Sequence, residues 1–370
     1  MVSILNRAIR AFLGLSVALV FSVAICSGLV LLLAGDDLAS FARVMILRIQ
    51  LVSRQDDLDR PVGLDTSPIR FTVSSGDTAT VIGTNLESTG LIRDGGLFTA
   101  FARVEGLDVA FEAGTYFLNT AQSTREIAYA LTDSSLSQIS LTVLPGWRIE
   151  QVASAIDQNP LFAFTGEDFL TFVGRGVVID EGVRQRLGIP LGLSLEGFLY
   201  PDSYSLPPNI TAPQLRTILL DTFLQRVSRD LEVMASAQGW TLYEVVTLAS
   251  IVQREAVHDD EHALIAGVYK NRLDIDMRLE ADPTVQYPLG EPGAWWPRIT
   301  VADYQGVISD YNTYRVSGLP PGPIANPGLS AMEAVVNPEA SNFFFFRADC
   351  RSDGYHDFAT TYEEHLSNGC

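Results

Sequence analysis

The chain has 370 residues, 47% hydrophobic and 19% charged, with a formal net charge of −19. This composition gives at least one full core, or several small domains, and excludes a disordered protein. The acidic balance excludes a nucleic-acid role, which needs a basic face, and four histidines with three cysteines lead us to expect no metal site and no cofactor.

Arg7 and Arg10 precede an uncharged run at 11–34, rich in Leu, Val, Phe, Ala and Ile. It is long enough to span a bilayer core and too long for a signal-peptide core. Leu32-Leu33-Ala34 lacks a small-x-small cleavage pattern, and Cys26 behind Ile25 is a poor lipoprotein site. The expectation is a cytoplasmic N-terminus at 1–10, a retained transmembrane anchor at 11–34, and a juxtamembrane segment and linker at 35–68. Arg43, Arg48 and Arg54 nearly balance the first two arginines, so charge alone leaves the orientation open. Phe41 to Val52 reads as an interfacial helix or a second packed helix, and Gln55 to Pro68 as a linker.

From Ile69 the pattern becomes strand, turn and short helix, three times over. Ile69-Arg-Phe-Thr-Val73 leads through Ser74-Ser-Gly-Asp77 into a helix reaching Leu86. Gly114-Thr-Tyr-Phe-Leu118 is followed by Ser123 as N-cap with Glu126 at N3. Ile139-Ser-Leu-Thr-Val143 turns at Pro145-Gly146 into a helix from Ile149 to Ile156. Together they read as a small α+β module at 69–158, either glycan-binding or a spacer. Phe162 to Gly192 is helical and loop-like, with no chemistry assigned.

Trp240 to Ala256 carries a Thr241-x-x-Glu244 capping box and apolar residues Leu242, Val245, Val246 and Ala249 at i, i+3, i+4 and i+7. Leu248, Ile251 and Val252 put Glu255 beside apolar neighbours, where its pKa rises and it becomes a proton donor for neutral pH. A second helix, capped by Asp259 or Asp260, carries Val268-Tyr-Lys-Asn-Arg-Leu273. A loop holds Leu279-Glu-Ala-Asp-Pro-Thr-Val-Gln-Tyr287, Phe343 to Arg347 reads as a buried strand, and Gly354-Tyr-His-Asp-Phe358 as a turn into the last helix. Cys350 and Cys370 form a disulfide or remain free thiols.

Six segments in order, Glu196-Gly-Phe-Leu-Tyr-Pro-Asp202, Ala249-Ser-Ile-Val-x-x-Glu255, Asn271-Arg-Leu273, Asp282-Pro-Thr-Val-x-Tyr287, Tyr311-Asn-Thr-Tyr314 and Gly318-Leu-Pro-Pro-Gly-Pro-Ile-Ala-Asn-Pro-Gly328, resemble the YceG-like family of MltG-type endolytic murein transglycosylases. The resemblance implies an α+β protein with a LysM-like module at 69–158 and a mixed α/β catalytic domain at 159–370. It implies cleavage of the β-1,4 bond between N-acetylmuramic acid and N-acetylglucosamine with a 1,6-anhydro end, and an extracytoplasmic catalytic domain on the cell membrane. The family's catalytic glutamate falls on Glu255; Gln253 stands where many members have a second acidic residue. Candidate substrate-binding residues are Glu196, Asn271, Asp282, Thr284, Tyr311, Asn312 and Tyr314, and Trp295-Trp296 offers either a stacking surface or core. The expected partners are peptidoglycan strands, with cell-wall synthases beside them. Two further readings compete: a muramidase using Asp282 or Glu196 to activate water, and a non-catalytic glycan-binding scaffold.

Overall fold

The computed structural model describes residues 45, 47–49 and 51–369. The expected anchor at 11–34, and most of the segment before Leu51, lie outside the described residues. Among the described residues no helix is long and apolar enough to cross a membrane. The chain forms two compact units that divide after Ser137, and its sheets, among the described residues, are three antiparallel strand pairs.

The first unit begins with helix α1 (Gln55–Asp59). It stands where the sequence suggests a linker, because Leu58 is driven into the core beside Leu51. Strand β1 (Ile69–Val73), helices α2 (Ala79–Ser88) and α3 (Gly95–Glu105), and strand β2 (Gly114–Leu118) follow, then α4 (Thr124–Ala130) with the Ser123–Glu126 capping box formed. β1 pairs with β2, Phe71 opposite Tyr116, and one face of the pair is covered by Ile82, Leu86, Phe98 and Ile127, all fully buried. Helices α2 and α3 cross at two glycines. A Cβ on Gly83 would stand 2.6 Å from the Gly95 carbonyl oxygen, and one on Gly95 2.5 Å from that of Gly83. The Gly95 N–H is bonded to Glu87 Oε2 at 2.9 Å.

The second unit opens on the same pattern. Strand β3 (Ile139–Thr142) runs through Gly146, at φ +82° like Gly76 at +90°, into α5 (Ile149–Asp157) and α6 (Gly166–Val173). Gly166 lies against the Ala153 carbonyl, and its N–H is bonded to Asp157 Oδ1 at 2.7 Å. Asp157 thus does for α6 what Glu87 does for α3. After α7 (Glu181–Leu187), strand β4 (Ser203–Leu206) completes this pattern antiparallel to β3. A strand, helices crossing at a glycine and a returning antiparallel strand therefore occur twice, as βααβ first and with α7 added before β4 the second time. The module read at 69–158 crosses the division between units, because β3 finds its partner in β4 and not in the first sheet.

Helices α8 (Ala212–Arg226) and α9 (Arg229–Ala237) lead to α10 (Leu242–Glu255), where the Thr241–Glu244 capping box is formed. The apolar spacing suggests an amphipathic helix, yet from Val245 to Val252 every side chain is buried. Polar ones are satisfied locally: Thr247 Oγ1 donates to the Tyr243 carbonyl and Ser250 Oγ to that of Thr247, each at 2.7 Å. Helix α11 (His262–Asp274) starts later than the sequence suggests. Asp259 and Asp260 do not cap it; with Glu261 they form a 3-10 turn. Helix α12 (Asp282–Leu289) stands where a loop is expected, Pro283 being tolerated in its first turn. Short α13 (Val301–Gly306) and α14 (Leu329–Val336) follow.

The chain then forms β5 (Phe345–Ala348), β6 (His356–Ala359) and α15 (Tyr362–Ser367). β5 is shorter than expected and half-buried. The segment read as a turn is itself a strand, pairing Arg347 with Asp357. Cys350 is disulfide-bonded; Cys370 lies outside the described residues.

Candidate active site

Glu255 is the last residue of α10. An anion there meets the negative end of the helix dipole and is half-buried, lining a cleft of about 540 Å³. Burial, opposed by a hydrogen bond from Tyr269, pushes its carboxyl up to about 7. Tyr269, on α11, is 1% exposed, and its hydroxyl donates to Glu255 Oε1 at 2.7 Å. Burial, then the adjacent Glu255, pushes the Tyr269 phenol well up, so it stays a donor.

Asp282 and Tyr314 line the same cleft. The Tyr314 hydroxyl donates to Asp282 Oδ1 at 2.7 Å, and its ring stacks on Tyr304 with centroids 4.1 Å apart. The Asp282 charge adds to the upward pressure on Glu255; Arg272 and Arg254 oppose it.

The other candidate residues do not line this cleft. Asn312 is fully buried, donating from Nδ2 to the carbonyls of Tyr304 and Val307 while Oδ1 accepts from the Tyr314 N–H. It holds the loop that presents both stacked tyrosines. Thr284, also fully buried, bonds to Thr313 Oγ1 at 2.8 Å and to the Ala281 carbonyl. Asn271 spends its amide on the carbonyls of Ser341 and Phe343, both at 2.9 Å, fastening α11 to the approach of β5. Tyr311 packs on Tyr287. Glu196 is 2% exposed and accepts from the Ile149 N–H at the start of α5; burial pushes its carboxyl well up. Of the residues the sequence singles out, the structure brings Glu255, Asp282 and Tyr314 to one cleft; Asn271, Thr284 and Asn312 tie neighbouring segments together, and Glu196 and Tyr311 meet at Tyr287 instead.

Gln253 accepts from the Gly328 N–H at 2.8 Å and so fixes the start of α14. Trp296 lies under the Arg254 guanidinium, 4.1 Å from its centroid, and its indole N–H donates to Gln151. Trp295 is one of three rings around Arg148. His258 and His262 have an i, i+4 spacing that the sequence reading overlooks. His258 is bonded to the Asp353 carbonyl and stacks on Tyr355, while His262 is bonded to Ser330. Among the described residues no cluster of His, Cys, Asp and Glu suits a metal ion.

A family model described as YceG-like matches residues 71–369. The chain belongs to the YceG-like family. An endolytic murein transglycosylase of Streptococcus pneumoniae is 29% identical over 347 residues, which cover 84% of this chain and 60% of that protein. The chain thus spans about 60% of that relative's length. A Bacillus subtilis protein of the same name is 28% identical over 320 residues, covering 82% of this chain and 85% of the relative. The crystal structure of a YceG-like protein from Listeria monocytogenes matches with a TM-score of 0.55 at 28% identity, over 82% of this chain and 99% of that one.

In this YceG-like chain the sequence reading missed several cleft residues. Tyr269 and Arg272 lie in the quoted Val268–Leu273 segment, and their three-residue spacing places them on one helix face. Tyr304, Arg347, His356 and His365 also line the cleft, and nothing in their local sequence marks them. His356 is oriented by Glu261, whose carboxylate accepts from its backbone N–H and contacts Nδ1 at 2.8 Å.

Proposed function

We propose that the chain is a membrane-anchored endolytic peptidoglycan transglycosylase that cleaves the bond between N-acetylmuramic acid and N-acetylglucosamine and leaves 1,6-anhydro ends. The observation that carries this reading is Glu255, a cleft-lining carboxyl with a pKa of about 7, so that acid and base forms are both populated near neutral pH. Protonated Glu255 gives its proton to the glycosidic oxygen as the C1–O bond breaks, releasing the N-acetylglucosamine end as an alcohol. The carboxylate then takes the proton of the muramyl C6 hydroxyl as O6 closes on C1. No water is consumed and one group serves twice. The positive charge that develops at C1 is stabilised by the Asp282 carboxylate, or by the substrate's own acetamido group.

The uncharged run at 11–34 supports a single-pass anchor with the catalytic unit on the substrate's side of the cell membrane, where cutting nascent strands would end their elongation beside the synthases. The βααβ unit at the start of the described residues supports a LysM-like glycan-holding role.

A hydrolytic reading is favoured by one observation, a second carboxylate, Asp282, in the same cleft; inverting and retaining hydrolases need two. Mass spectrometry of strands digested by the full chain decides. Anhydro ends support the transglycosylase, and reducing ends carrying one added water support the hydrolase. Unchanged cleavage by folded Glu255→Gln would sink both.

A further inference from the structure

The wall of the cleft built by β5, β6 and α15 brings Arg347 beside Arg272 of α11, in a chain with a net charge of −19. Arg347 forms no ion pair among the described residues; its guanidinium packs against Gly369 and donates one long hydrogen bond, 3.4 Å, to the His365 carbonyl. Arg272 is fixed by the carbonyls of Phe344 and Leu279 and lies over the Phe345 ring. Its nearest carboxylate, Glu280, is 3.8 Å away on a part-exposed side chain, an ion pair that leaves other guanidinium donors of Arg272 facing the cleft. Between them His365 is held neutral: burial first, then Arg347 and Arg272, push its pKa down. Its buried Nδ1 has no hydrogen-bond partner.

Two guanidinium groups with spare donors, one of them without an ion-pair partner among the described residues, beside a neutral imidazole make a receptor for an oxyanion. We propose that this wall is a carboxylate subsite, which seats a carboxylate substituent of the sugar strand while Glu255 acts on the glycosidic bond. The inference rests on the transglycosylase reading for the identity of the strand. A muramyl residue offers such a group from two sources: the free lactyl carboxylate of a stripped strand, or the carboxylates of an attached peptide. Both place a planar anion on a sugar next to the bond that breaks, and a planar guanidinium fork matches that shape.

The experiment measures binding to the full chain by NMR titration, with two matched pairs of probes. One pair is N-acetylmuramic acid and its lactyl carboxamide; the other is N-acetylmuramyl dipeptide and its fully amidated form. We expect the acid of at least one pair to bind about tenfold or more tightly than its amide, as for a charged hydrogen bond. The pair that shows the preference identifies the source. In Arg347→Ala the acid and amide should bind alike. Equal affinities within both pairs for the unmodified chain overturn the proposal, and that comparison needs no variant to fold. A preference that persists undiminished in folded Arg347→Ala also overturns it. Strand cleavage is scored separately. A chain that prefers the acid but cuts no strand keeps the subsite and loses the transglycosylase reading; a chain that cuts strands and treats acid and amide alike does the reverse.

Discussion

The Tyr269 hydroxyl donates to Glu255 Oε1 at 2.7 Å, and this bond pulls against the burial that encloses both groups. Burial favours the neutral acid; a donated hydrogen bond favours the anion. Tyr269 therefore keeps Glu255 a usable acid, holding its pKa at about 7 where burial alone would carry it higher. Tyr269→Phe removes the donor and leaves the ring. The alkaline limb of the pH profile of kcat/KM should move up by about one unit or more, from the worth of a hydrogen bond to a charged group. A limb that stays in place would show that the bond does not tune Glu255.

Asp282 acts in the other sense. Its negative charge raises the Glu255 pKa, so Asp282→Asn should move the same limb toward acid while the amide oxygen still accepts from Tyr314. The products discriminate as well. Under the transglycosylase reading the variant's remaining products keep anhydro ends, whereas a water-activating Asp282 would lose turnover altogether. Strand products from the variant, analysed by mass spectrometry, check both points.

Glu255 also burdens the fold, in a pH-dependent way. Its folded pKa of about 7 lies above the ordinary 4.5, so the folded state holds the proton more tightly. That contribution to stability is complete below about pH 4.5 and is lost as the pH rises through about 7. Over the whole window it amounts to about 3 kcal/mol. Glu255→Gln, which cannot ionise, should match the parent near pH 4 and exceed it in urea-unfolding free energy by up to that amount near pH 9. Equal stability at both ends of the range would mean that Glu255 titrates as an ordinary carboxyl.

Asn312 touches no ligand-facing surface, yet its three bonds hold the Tyr304–Tyr314 loop. Asn312→Ala should cost about 2–3 kcal/mol of stability, since it strands two half-buried carbonyls and one N–H. Asn312→Asp should do no better, because a carboxylate cannot donate to the carbonyls of Tyr304 and Val307. Thermal unfolding, paired with KM for strands, measures both effects; a KM unchanged in a folded variant would mean that the two tyrosines do not hold substrate.

The sequence was most legible where local chemistry decides. The Thr241 capping box marks the start of α10, and the apolar residues before Glu255 foretell its burial. Legibility failed where distant residues decide. Asp259 and Asp260 look like helix caps, but Glu261 reaches out to His356 and winds the segment into a 3-10 turn. The Asp282-Pro283 pair reads as a turn, although proline in a first helical turn costs nothing. Asn271, Thr284 and Asn312 look like sugar contacts because their amides and hydroxyls suit that purpose; only the tertiary structure reveals that backbone and side-chain partners already occupy them. Strand β6 is short and polar, and its character comes from the partner β5 supplies.

The hairpin and final helix that close the cleft come from sequence well downstream of Glu255, and Glu261 and Asn271 pin that wall onto the body. A ribosome therefore delivers the reactive carboxyl long before the wall opposite it exists. Under the transglycosylase reading, this order of synthesis would act as a safety catch: a growing chain carries Glu255 but lacks the wall needed to grip a strand. A chain stopped just before Phe345 should accordingly retain α10 and its capping box yet show no strand cleavage, which circular dichroism and a strand-digestion assay on the shortened protein would check together.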